Sequence, residues 1–170
     1  MRDYALFING IYQEVLDDIV TAQSANPRLP LYLQPYHESA IAKFREHPPS
    51  ESDTVRLYAS ITTDLNRVHY ACDVVGWRDK TAINAEGRSF IERELELYQP
   101  TEEGLYGLPG DDHFEERGLC TNLLIVMRMQ KIPQPLPVEQ LIKTSDNTPL
   151  GRRTTSGGWS YVHPVSQRRA

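Results

Sequence analysis

Residues 55–77, VRLYASITTDLNRVHYACDVVGW, constrain the fold more than any other stretch of the chain. Val55-Arg56-Leu57-Tyr58-Ala59-Ser60 alternates apolar and polar side chains, which is the period of a half-buried strand. Val68 to Val75 does the same, and β-branched and aromatic residues dominate both runs. Ile61 to Arg67 between them is polar and has the length of a wide hairpin loop. Trp77, one of only two tryptophans, follows Gly76 and closes the stretch. The pattern predicts the centre of a curved sheet with an aromatic ring at its rim.

The flanking segments supply further strands and helices. Tyr4 to Ile8 reads as a buried first strand ended by Asn9-Gly10, and Ile11, Val15, Leu16 and Ile19 then recur at helical spacing to about Gln23. Asn9-Gly10 would leave backbone N–H groups free at that helix N-terminus, a corner that holds an anion or a base edge or merely caps the helix. Residues 27–37 carry three prolines and predict an extended or edge segment, and residues 38–46 a short helix. Residues 85–98 predict a helix, and 99–118 a long acidic surface loop, a candidate lid. Leu119 to Met129, the longest apolar run, predicts a central strand broken by Pro133-Gln134-Pro135-Leu136-Pro137. A short helix from Val138 and a last strand ending in Trp159-Ser160-Tyr161-Val162 complete the order. With 170 residues and no repeats, one domain over 1–170 is expected.

The net charge of −5 argues against a protein that coats nucleic acid indiscriminately. The charge is unevenly spread: residues 1–125 hold 11 Lys+Arg against 21 Asp+Glu, and residues 126–170 hold 7 against 2. The basic tail, 151–170, is where a phosphate backbone would be welcome. The first residues, MRDYALFING, show no basic region followed by an apolar core, and no apolar run reaches the ~20 residues that span a bilayer. Neither a signal peptide nor a membrane partner is expected. Cys72 and Cys120 sit in apolar runs and read as buried free thiols of a reducing compartment, which predicts a cytoplasmic protein.

Common catalytic motifs are absent: the chain has no GxSxG, HExxH, CxxC pair or P-loop. Asp111-Asp112-His113 with His163 lacks a defined ligand spacing and reads as a solvated acidic loop, so no metal or cofactor is expected. His69 sits in mid-strand with no evident partner. The aromatics are more informative. Trp77 and Trp159 each follow a glycine, where backbone approaches a ligand closely, and Tyr32, Tyr36, Tyr58 and Tyr161 are candidate neighbours. Indoles flanking a planar base would gain roughly 1–3 kcal/mol per stacked base; the alternative is that both are core residues. Arg152-Arg153 suits phosphates, or else a solvated turn.

Tyr4-Ala5-Leu6-Phe7, Leu57-Tyr58-Ala59-Ser60 and Tyr70-Ala71-Cys72-Asp73-Val74-Val75 resemble, in order, segments of the EVE domain of the PUA-like superfamily, whose relatives are the YTH and ASCH domains. The late chain is similar as well: Val126-Met127-Arg128-Met129, the proline-rich turn at 133–137, Pro137-Val138-Glu139-Gln140-Leu141-Ile142, and Pro149-Leu150 followed by Arg153 and Trp159 to Val165. Residues 20–50 and 99–118 are longer and more acidic than that pattern. An early tryptophan of the family's aromatic pocket is missing near Asn9-Gly10, where Tyr12 is the nearest aromatic.

The resemblance implies an α+β fold, a small curved β-barrel with helices packed outside, and a pocket for a modified base. Base flipping costs a few kcal/mol, which stacking and base-edge hydrogen bonds must recover. On this reading Trp77 and Trp159 stack, with Tyr58 nearby, while Ser60 and the Asn9-Gly10 backbone contact the base edge. Arg152 and Arg153 hold phosphates. The expected function is a non-enzymatic reader of a flipped, modified base, such as methylated or hydroxymethylated cytosine, with DNA favoured over RNA. Such readers resemble the specificity modules of modification-dependent restriction systems, which implies a nuclease or motor on a partner or fused domain. Two other readings stay open: an ASCH-like RNA-directed hydrolase using His69, Asp111, Asp112, His113 or His163, and a protein-interaction module.

Overall fold

The alternation in 55–75 becomes a hairpin at the middle of the sheet. Strand β3 (Val55–Ile61) pairs antiparallel with β4 (Asp64–Arg78), Leu57 opposite Cys72 and Ala59 opposite Tyr70. The structure, a computed structural model, describes residues 2–35, 42–98, 105 and 107–165. Only Thr62-Thr63 connects the two strands, not the wide loop expected from 61–67. Asp64 already pairs with Ile61; the register shift between Ser60 and Ile61 absorbs Leu65-Asn66-Arg67 within β4, and a second, between Ala59 and Ser60, absorbs His69.

Around this hairpin, β1 (Ala5–Ile11) lies parallel to β3, and β6 (Trp159–Val162) lies antiparallel to β1. On the other side β5 (Leu123–Pro137) pairs with β4, and β2 (Leu31–Leu33) with β5. The result is an α+β fold on one six-stranded mixed sheet of order β2-β5-β4-β3-β1-β6. Its outer strands, β2 and β6, are not paired to one another.

Alternation sorts the side chains onto two faces. Leu6, Ile8, Leu57, Cys72, Val74, Leu124 and Val126 meet Val15, Leu16 and Ile19 of helix α1 (Gln13–Ser24) and Phe44 of α2 (Ala42–Glu46). On the opposite face, α3 (Lys80–Glu86), α4 (Arg88–Tyr98) and α5 (Asp112–Arg117) cover Val75, Ile125 and Met127 through Ile83, Ile91 and Phe114. The remainder of that face, Ala5, Phe7, Tyr58 and Ala71, packs under Val138, Leu141 and Leu150. Each fully buried large side chain contributes about 1.5–3 kcal/mol.

A buried glutamine shapes β5. Gln23 donates to the carbonyls of Leu29 (2.7 Å) and Val126 (3.0 Å) and accepts from the Met129 amide (2.9 Å). The Arg128 amide donates to Pro27 O at 2.8 Å, and Arg128 takes a left-handed φ of 55°. This irregularity turns the Arg128 guanidinium onto the buried Asp73 carboxylate at 2.6 Å, which Arg56 shares at 3.2 Å.

Several expectations are corrected. The helix over 85–98 is two helices, parted at Gly87, whose φ of 93° ends α3. β5 does not break at Pro133 but runs to Pro137. Beyond Val126 it pairs, among the described residues, with β4 alone, so prolines that lack an N–H cost little on its other edge. The helix from Val138 is a single 3-10 turn, Val138–Gln140. The loop expected over 99–118 contains α5, capped by the Asp111 side chain accepting from the His113 amide. Residues 38–41 of the short helix, Tyr36, residues 99–104 and 106 of the acidic loop, and 166–170 of the tail lie outside the described residues. Among those described, no helix is long and apolar enough to cross a membrane.

Candidate functional site

Asn9-Gly10 does not open the first helix. The strand continues through it to Ile11, with a register shift between Ile8 and Ile11, and Gly10 takes a φ of 75°. A Cβ at Gly10 would lie 3.1 Å from Leu65 Cδ2 and from Ser156 Cα, so the chain is closely packed there. The backbone N–H groups expected to be free are engaged. The Gly10 amide donates to Ser60 Oγ at 2.9 Å, and the Asn9 amide to Gly158 O at 3.0 Å. Ser60 Oγ in turn donates to Asn9 Oδ1 at 2.9 Å. Asn9 Nδ2 donates to the carbonyls of Thr155 and Gly157, both at 2.8 Å. Asn9 and Ser60 are fully buried, so the structure joins these three predicted residues as one closed polar knot beneath residues 155–158.

Arg153 lies on the same side. Its amide donates to Asn66 Oδ1 at 2.6 Å, and Asn66 Nδ2 donates back to its carbonyl at 3.0 Å. The guanidinium carbon sits 5.6 Å from the centre of the Phe7 ring, a cation–π distance. Among the described residues no carboxylate lies within ion-pair distance of Arg153, and its Nε is buried without a hydrogen-bond partner. Arg152 is exposed. Trp159 opens β6 opposite Ile8, half-buried, with its ring 4.9 Å from that of Tyr161.

Two predicted base-binding residues fall elsewhere. Tyr58 is a core residue among Phe7, Ala71 and Leu150, with its hydroxyl accepting from the Val165 amide at 2.9 Å. Trp77 does not face Trp159. Register places Trp159 level with Ile8, Ala59 and Tyr70, whereas Trp77 is seven residues further along β4 and three strands away. That is about 23 Å along the strands and about 14 Å across them. Rings clasping one base stand about 7 Å apart, two van der Waals contacts. Trp77 instead packs on Phe44, ring centres 6.4 Å apart, and lines a separate cleft of about 260 Å³ with Tyr98, Met127, Pro48 and Pro49. Tyr32 is buried and donates to Glu94 at 2.6 Å, and Tyr161 packs at the Trp159 end of the sheet.

The histidines also resolve. His69 Nε2 lies 2.8 Å from Asp64 Oδ2, a partner that the sequence spacing did not suggest, and Arg67 Nε reaches the same oxygen at 2.7 Å. Burial alone would raise the Asp64 pKa, but the hydrogen bonds from His69 and Arg67 outweigh it and hold the carboxyl below its usual range. The short hairpin turn brings this trio together, which is why the wide-loop expectation hid it. His163 bonds Asn147 Oδ1 at 2.8 Å. Asp111, Asp112 and His113 form the capped start of α5. No group of metal-ligating side chains is present among the described residues. Compared with protein-family models, with curated proteins and with solved structures, the chain finds no match.

Proposed function

We propose that this chain is an EVE-type, PUA-like reader that binds nucleic acid in the cytoplasm and takes a flipped, modified base of DNA at the Asn9 rim. The observation that carries this reading is Arg153. A partly buried guanidinium with no carboxylate partner among the described residues is poorly compensated in the free protein, and a phosphate oxygen or base acceptor would complete it. Arg152 adds a second, exposed cation, Trp159 a stacking surface, and Asn9 a buried amide whose two donors, held by Thr155 O and Gly157 O in the free protein, match the acceptors of a base edge. The curvature expected of a small barrel would bring this rim around a single nucleotide. A nuclease or motor on a partner or fused domain would act on what is read.

Fluorescence anisotropy with labelled duplexes tests it. The panel carries cytosine, 5-methylcytosine, 5-hydroxymethylcytosine, adenine and N6-methyladenine, with single-stranded RNA counterparts. Modification-dependent binding that Arg153→Ala weakens at least about tenfold is expected. Equal binding of every probe, or none, contradicts it.

One observation favours a second reading, an ASCH-like hydrolase: the His69–Asp64 pair, in which a carboxylate orients an imidazole for acid–base work. RNA turnover abolished by His69→Ala with binding intact would select it.

A further inference from the structure

We propose that Arg153 to Gly158 is a strap that closes the base slot by occupying the Asn9 amide that a ligand would use. This rests on the reading of the Asn9 rim as the base site. The strap is latched at both ends. Asn66 clasps the Arg153 backbone through its amide and carbonyl, at 2.6 and 3.0 Å. Asn9 clasps the other end through Thr155 O, Gly157 O and Gly158 O, and its own carbonyl accepts from the Gly157 amide at 3.2 Å.

Between the latches Thr154, Thr155 and Ser156 are exposed, so little apolar burial holds the strap down. Gly157 and Gly158, with φ of 93° and 92°, form a tandem hinge next to β6. Beneath lie Asn9 and Ser60, fully buried. The strap meets the Asn9 Nδ2 donors with two carbonyl oxygens. A nucleobase edge presenting a carbonyl oxygen and ring nitrogen offers the same acceptor chemistry. Exchange of strap for base therefore replaces the two bonds to Asn9 Nδ2 like for like and leaves the Asn9 backbone bonds to Gly157 and Gly158 at the hinge, whereas opening onto water alone exposes the buried knot.

Binding is then weakened by the fraction of molecules whose strap is closed. Asn66 is the place to test this, because it grips the strap through the Arg153 backbone, not the guanidinium, and is itself assigned no contact to the base. In Asn66→Ala the loss of two hydrogen bonds should shift the strap toward open by roughly tenfold. Trypsin cleavage after Arg152 and Arg153, followed by mass spectrometry, should accelerate by that factor. Affinity for the 5-hydroxymethylcytosine or 5-methylcytosine duplex, whichever the parent binds, should rise. Asn66→Leu, which keeps the side-chain volume and removes both the donor and the acceptor, serves the same purpose if the alanine variant does not fold.

Unchanged cleavage overturns the latch. Faster cleavage with equal or weaker binding overturns the inhibitory role and leaves the reader standing. A panel that binds neither parent nor variant overturns the reader and the strap's competition with it.

Discussion

Ser60 Oγ sits between two groups of β1, donating to Asn9 Oδ1 and accepting from the Gly10 amide, each at 2.9 Å. All three residues are buried, so neither partner can turn to water if the hydroxyl is removed. Ser60→Ala should cost about 2 kcal/mol, the penalty of leaving a buried donor and acceptor unmet. Urea denaturation measures it, and a change within 0.5 kcal/mol would show that the knot relaxes.

Asp73 holds Arg56 at 3.2 Å and Arg128 at 2.6 Å while about nine-tenths buried. Removing the carboxylate leaves two guanidinium groups without it and releases the left-handed turn at Arg128. Asp73→Ala should lose about 3–5 kcal/mol, the range for breaking a buried ion pair at one partner. Chemical denaturation of parent and variant checks the figure.

Asp64 gives a pH signature. Its folded pKa lies below the unfolded value, so its contribution is present above the unfolded pKa and disappears as pH falls through the folded one. Asp64→Asn should therefore be less stable than the parent at pH 7, and the difference should shrink below about pH 4. Denaturation curves from pH 7 to pH 2.5 report it; a difference constant across that range contradicts the account.

The sheet was legible because its signal is periodic. Alternation in 55–60 and 68–75 survives as β3 and β4, and the Ile11-to-Gln23 spacing survives as α1, since burial of one face enforces each period. What failed depended on pairing rather than on period. The prolines of 133–137 look like a break in sequence, yet they lie on a ladder edge that needs no donor. Asn9-Gly10 looks like a helix corner, yet a bulge paired to β3 carries the strand through it. The candidate site followed the same rule. Asn9, Gly10 and Ser60 converge because β1 and β3 are parallel neighbours, and Trp77 parts from Trp159 because β4 carries it to the other end of the sheet. The Asp64–His69 contact needed the tight turn, which no spacing rule supplies.

Trp77 and Trp159 are the only tryptophans, and they stand at opposite ends of the sheet, so intrinsic fluorescence separates the two rims. The decisive measurement titrates Trp77→Phe and Trp159→Phe with the modified-base duplexes. Modification-dependent quenching retained in Trp77→Phe and lost in Trp159→Phe is the predicted result. Quenching that persists in Trp159→Phe, or that is absent from both variants and the parent, contradicts a base site at the Asn9 rim.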